Sequence, residues 1–140
     1  MDTHIKGPTY PTVSPNEGAI VSQRGFQVLF TDTTTKNLII IDASANKPVL
    51  VEITPIVETV FNAGTTNLLA VGNTTTQAAY LGLGDINPTV TGVQPSKKFL
   101  LRAKTTITAI YAPTGTAATT GHATILVAAT GVGKGIGITS

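Results

Sequence analysis

Thr105-Thr106-Ile107-Thr108-Ala109-Ile110-Tyr111-Ala112 is the stretch on which the reading of this chain turns. Ile107, Ala109 and Tyr111 fall on one side of it and Thr106, Thr108 and Ile110 on the other, the period-two pattern of a strand with one buried face. Threonine and isoleucine are β-branched, which suits a pleated surface and disfavours helix. Working outward, Pro113 to Gly121 reads as a loop, and His122 to Thr130 as a strand with Ile125 and Val127 on one face. Upstream, Lys98-Phe99-Leu100-Leu101-Arg102 begins a strand. Val49, Val51 and Ile53 face one way and Glu52 the other, and Ile56 to Phe61 resumes after Pro55, as two strands or as one bent at the proline. Asn62 to Asn67 is a turn and Leu68 to Gly72 a further strand. Phe26, Val28 and Phe30 alternate with Gln27. Asp32 to Asn37 is then a polar turn before Leu38-Ile39-Ile40-Ile41, so that up to Gly72 the chain reads as hairpins. Thr74 to Leu81 is the one segment expected to make a helical turn, with Asn73 as its cap and Gly82 as its stop. Gly84, Pro88, Gly92 and Pro95 keep the next stretch irregular. The expected fold is all-β, a β-sandwich or jelly roll of about eight strands.

At 140 residues the chain is the size of one domain. Charged residues make up 11%, against roughly 25% in an average soluble domain, and roughly one residue in five is threonine. Residues 1–20, with Pro8, Pro11 and Pro15 among Thr, Ser, Asn and Gly, are expected to form an extended N-terminal arm. Residues 21–130 are the sandwich and 131–140 a Gly-rich C-terminal tail. In that tail glycine at 131, 133, 135 and 137 leaves one face without side chains, while Val132, Ile136 and Ile138 line the other with Lys134.

The residues carry no chemistry of a recognisable kind. The net charge of +2 is too small for the basic stripe of a nucleic-acid binder. Lys97, Lys98, Arg102 and Lys104, the only basic cluster, read as polar positions flanking a strand. Without cysteine there is no disulfide, thiolate nucleophile or Cys-based zinc site. Gly131-Val132-Gly133-Lys134-Gly135 departs from a phosphate loop at Ala128 and Gly135, and from a dinucleotide fingerprint at Ile136. His4 and His122 have no ligand-type partner at i+2 or i+4. Glu52 and Glu58 read as solvated positions rather than as a carboxylate dyad. No catalytic residue, cofactor or metal is expected. The start lacks the apolar segment of a signal peptide and no apolar run reaches 18 residues. A chain made in the cytoplasm and not embedded in membrane is the expectation.

Val57-Glu-Thr-Val-Phe-Asn-Ala-Gly-Thr-Thr-Asn-Leu-Leu-Ala-Val-Gly72 resembles a segment of small virion structural proteins of tailed bacteriophages, in which a strand ending in Phe-Asn leads through a Gly-Thr-Thr turn to a strand ending in Val-Gly. Downstream, Tyr80-Leu81-Gly82-Leu83-Gly84-Asp85-Ile86 and a β-hairpin from Phe99 to Val127, turning at Thr119-Thr120-Gly121, come in a similar order. The resemblance covers about half of the chain, mainly residues 56 to 130. It implies a β-sandwich or jelly roll and a non-enzymatic role on the capsid surface of the virion, as a head decoration or cement protein bound to the major capsid protein. A tail or fibre component is the alternative, and a carbohydrate-binding sandwich an alternative of another class. A surface with 16 charged residues (9 + 7) implies contact with other protein, and the resembling proteins imply a homo-oligomer, a trimer foremost. Partner contacts are expected from the arm at Pro8, Tyr10 and Pro11, and from the tail at Val132, Gly133, Gly135, Ile136 and Ile138.

Overall fold

Residues 12–13 and 21–131 are described by the computed structural model. Nine strands and no helix form among them: β1 (Thr12–Val13), β2 (Val21–Leu29), β3 (Lys36–Ile41), β4 (Val49–Thr59), β5 (Thr66–Gly72), β6 (Gly92–Val93), β7 (Lys97–Leu101), β8 (Thr105–Thr114) and β9 (His122–Gly131). One sheet has the order β1-β3-β8-β5. The other runs β2-β9-β4, with β6 and β7 sharing the far edge of β4. Every pairing between these strands is antiparallel except the short parallel one of Thr12 and Val13 with Ile40 and Ile41.

The fold is a β-sandwich, as the alternation predicts, but its strands are not wired as hairpins. From β2 to β5 each strand pairs in the sheet opposite to its predecessor's, and β8 and β9, which the sequence suggests as one hairpin, also lie in different sheets. The connections 30–35, 42–48, 60–65 and 115–121 are longer than the two-residue turns that keep neighbouring strands in one sheet, and they cross the ~10 Å between sheets instead.

The core is the inward row of each long strand. Val49, Val51, Ile53 and Val57 of β4 lie beside Ala123, Ile125, Val127 and Ala129 of β9, and Ile39, Ile41, Leu69, Val71, Ile107, Ala109 and Tyr111 close it from the other sheet. Each large apolar side chain so buried contributes about 1.5–3 kcal/mol. Pro55 does not split β4. Its carbonyl accepts from the Gln94 N–H at 2.9 Å, so the position of its missing N–H faces the edge shared by β6 and β7, where pairing breaks between Ile53/Lys97 and Ile56/Val93. Proline is tolerated at such an edge because no ladder bond is lost.

The helical turn expected over 74–81 does not form. Asn73 does cap a turn, its Oδ1 accepting from the N–H groups of Thr75 and Thr76 at 2.9 and 2.8 Å. The chain then folds over Gly72, where a Cβ would stand 2.1 Å from the Thr76 carbonyl oxygen. Leu81 and Val71 exchange backbone bonds of 3.0 and 2.9 Å. Pairing on the free edge of β5, together with complete burial of Leu81, outweighs the weak local preference for helix.

Candidate partner-binding surfaces

The titratable side chains are scattered. Glu52 and Glu58 share the outward face of β4 but stand six residues apart on one strand, about 20 Å at ~3.4 Å per residue, too far for a dyad. Ser96 donates to Glu52 at 2.9 Å. Thr124 donates to Glu58 at 3.1 Å, and His122 Nε2 lies 3.1 Å from the same oxygen. Among the described residues no three of His, Asp or Glu come together as metal ligands, and no helix is long and apolar enough to cross a membrane. The basic cluster does not form a stripe: Lys97 pairs with Asp85 at 2.8 Å, and Lys98 is in register with Glu52 across β7 and β4.

What the fold displays instead is sheet with few charges. On the outward face of the β2-β9-β4 sheet, the cross-strand rows are Leu100, Leu50 and Thr130; Lys98, Glu52, Ala128 and Gln23; Thr54, Leu126 and Gly25; and Val93, Ile56, Thr124 and Gln27. Leu50, Ile56 and Leu126 are half-buried, and Leu100 and Val93 are 45% and 73% exposed. The other sheet turns Leu68, Ile110, Ala112 and Thr106 outward with no charge among them. Apolar groups also project from the 82–95 segment, where Leu83 is 89% exposed at the tip of a turn. There Gly84 has φ +91°, a conformation that favours glycine.

The free edge of β2 is divided. The Leu29 N–H donates to Asp32 Oδ2 at 2.8 Å and the Lys36 ammonium to the Gln27 carbonyl at 2.7 Å, while Asp32 and Lys36 pair at 3.4 Å. These bonds show that odd-numbered residues of β2 point their backbone groups away from β9. One ion pair therefore blocks the last part of the edge, a recognised defence against unwanted strand addition. By the same alternation Val21, Gln23 and Gly25 present backbone groups at an edge with no neighbouring strand among the described residues. In the sequence 32–37 reads only as a polar turn; an acid and a lysine four residues apart after a strand are its one signal of a plug.

Two of the motifs that carry the resemblance, Phe61-Asn62 and Thr119-Thr120-Gly121, meet at one end of the sandwich. Asn62 Oδ1 accepts from the N–H groups of Thr119 and Thr120 at 2.8 and 3.0 Å, and its Nδ2 donates to Thr119 Oγ1 at 2.9 Å. Phe61 is buried against Gly121, and its ring packs on Tyr111 with centroids 4.6 Å apart. The Tyr111 hydroxyl donates to Asn67 Oδ1, and burial raises its pKa above the ordinary value. The expected arm and tail contacts, Pro8, Tyr10, Pro11, Val132, Gly133, Gly135, Ile136 and Ile138, lie outside the described residues.

Two phage capsid chains share this fold. A chain in the acid-stable capsid of Helicobacter pylori bacteriophage KHP30 is similar with a TM-score of 0.59 and 13% identity, over 81% of this chain and 89% of that one. A chain in the capsid asymmetric unit of cyanophage Pam1 is similar with a TM-score of 0.54 and 17% identity, over 92% of each. No protein-family model and no curated protein sequence matches the chain.

Proposed function

We propose that this protein is a virion structural component of a bacteriophage, a capsid decoration or cement protein that binds major capsid subunits from the outside. The observation that carries the reading is the fold it shares, over most of each length, with chains of two phage capsids. Its sparsely charged outward sheet faces fit a protein whose surface meets other protein in the assembled particle. The strand order supports the reading: from β2 to β5, and again from β8 to β9, successive strands fall in opposite sheets, as a double-sheet jelly roll would require. In this reading the protein is non-enzymatic and works as a homo-oligomer, a trimer foremost. The arm and tail, residues 1–20 and 131–140, hold it to neighbours through Pro8, Tyr10 and Pro11 on one side and Val132 to Ile138 on the other. A carbohydrate-binding role has less support, because Phe26, Phe30, Tyr80 and Phe99 pack against the core and Phe61 and Tyr111 lie inside it, leaving no exposed ring among the described residues as a sugar platform.

The test is fractionation of phage particles with an antibody against the chain, followed by re-addition of purified protein to heads stripped of it. Co-migration with heads, saturable rebinding and greater resistance of the heads to heat are expected. Recovery with isolated tails, or heads equally stable without it, overturns the reading.

A further inference from the structure

We infer that the open half of the β2 edge, residues 21–25, is the docking site for residues 132–138 of a second copy of this chain, which adds there as an antiparallel strand. This deepens, and rests on, the reading of the tail as an attachment strand. Three features argue for this occupant.

First, donor and acceptor lie together. Val21 is in register with Thr130, so β9 ends, at Gly131, beside the start of β2 where the unplugged edge lies. Two copies placed about a twofold axis can then each give a tail to the other through one self-complementary contact. Second, the plug limits the site. Asp32 and Lys36 already hold the edge-facing groups of Leu29 and Gln27, so an incoming strand can bond to the main chain only at Val21, Gln23 and Gly25.

Third, the side chains complement each other. Gly25 is an outward-facing position without a side chain, and a Cβ there would stand 3.0 Å from Thr124 Cγ2 and 4.0 Å from Leu126 Cδ1. It leaves a shallow notch whose far wall is the half-buried Leu126. A strand carrying Val132, Ile136 and Ile138 on its outward face can set the first of them opposite Gly25 and cover that notch, as cross-strand side chains cover an edge glycine. Its glycines then occupy the inward face, where bulk would meet the rim of the sandwich. Main-chain bonds supply the affinity in such strand addition and the alternate side chains the register.

The absence of native cysteine makes a cross-linking test clean. A full-length Gln23→Cys chain is mixed with larger, tagged full-length chains that carry a single cysteine at 132, 134, 136 or 138, and the mixture is oxidised. Directly opposed residues of antiparallel strands bring cysteines within disulfide reach. A disulfide between chains of different mass is expected at one tail position, and Gln23→Pro should lose self-association while its thermal unfolding stays unchanged, because the Gln23 N–H points away from β9. Absence of any such cross-link overturns the proposal. So does a cross-link confined to one chain when both cysteines are placed together. Binding of the wild-type protein to stripped heads is measured alongside: binding without cross-linking removes only the exchange, and loss of binding removes the capsid reading itself.

Discussion

Two turn-rich regions of similar composition behave in opposite ways. Where 60–65 meets 115–121, nearly every polar group has a partner: Asn62 makes three bonds to Thr119 and Thr120, the Gly64 N–H reaches the Thr116 carbonyl at 2.8 Å, and Thr66 and Thr114 share a hydroxyl contact of 2.6 Å. In 82–95 the ties are mostly local, as from Asp85 to Gly82 and from Gln94 to Asn87 and Val90, with the Asp85–Lys97 pair reaching β7, while Leu83, Val90 and Val93 face solvent. The difference is the buried ring. Phe61 gives the first region something to close over, so its hydrogen bonds, exposed as they are, join two loops across a buried ring and hold one geometry. The second has no anchor of that size and presents its apolar groups outward, which suits contact with another protein.

The largest effect should come from that ring. Phe61→Ala is expected to cost about 3–5 kcal/mol in denaturant unfolding. Gly121→Ala should be comparably damaging, because its φ is +149° and a Cβ would lie 2.2 Å from Phe61 Cδ2. If Gly121→Ala unfolds with the wild-type midpoint, the clasp is not what holds this end together.

Smaller losses should follow from its polar ties. Tyr111→Phe removes the hydroxyl that donates to Asn67 Oδ1 but leaves that oxygen the Ala63 N–H at 2.9 Å, so a cost of about 1–1.5 kcal/mol is expected. Asn62→Ala should cost about 1–2 kcal/mol, since the N–H groups it leaves behind can reach water. A larger loss for Asn62 than for Phe61 would reverse the order argued here. Leu83→Ser, in the open region, should leave stability within ~0.5 kcal/mol and weaken particle incorporation. A drop in its unfolding midpoint would show that Leu83 belongs to the fold.

Sequence alone discloses the strands and their inward residues wherever alternation is long. Ile107, Ala109 and Tyr111, and likewise Val49, Val51 and Ile53, are buried as their spacing requires, because period two is a local property of one strand. Pairing is not local. Nothing in Phe26 to Ile41 says that β2 must pair with β9 rather than with β3; that choice follows from closing a core between residues a hundred positions apart. The 74–81 segment departs from its expected helical turn for the same reason, since the Val71 edge that captures Leu81 cannot be seen from Thr74 to Tyr80. The β2 plug stays hidden because Asp32 and Lys36 read as ordinary turn residues until the strand edge beside them is known.

The smallest and most specific effect concerns acid. In the open region the Lys97 ammonium, and after it the Gly82 N–H, hold the Asp85 carboxyl below its ordinary pKa of 3.8. An acid whose pKa is lowered by folding stabilises the folded state above the unfolded value, and that contribution is lost as pH falls through the folded one. The window therefore lies below about pH 4, and the effect is slight because the pair faces solvent. The clasp holds no charged residue, so it should show no such window. Carboxyl NMR titration of Lys97→Ala should move the Asp85 midpoint upward yet leave it short of the ordinary value, because the Gly82 N–H remains at 2.8 Å. The packing of Phe61 on Tyr111, tracked through their ring resonances over the same range, should not respond. An Asp85 midpoint unmoved by Lys97→Ala would mean that the ammonium stands near the carboxylate without holding it, and the open region would then lose its one charged tie to β7.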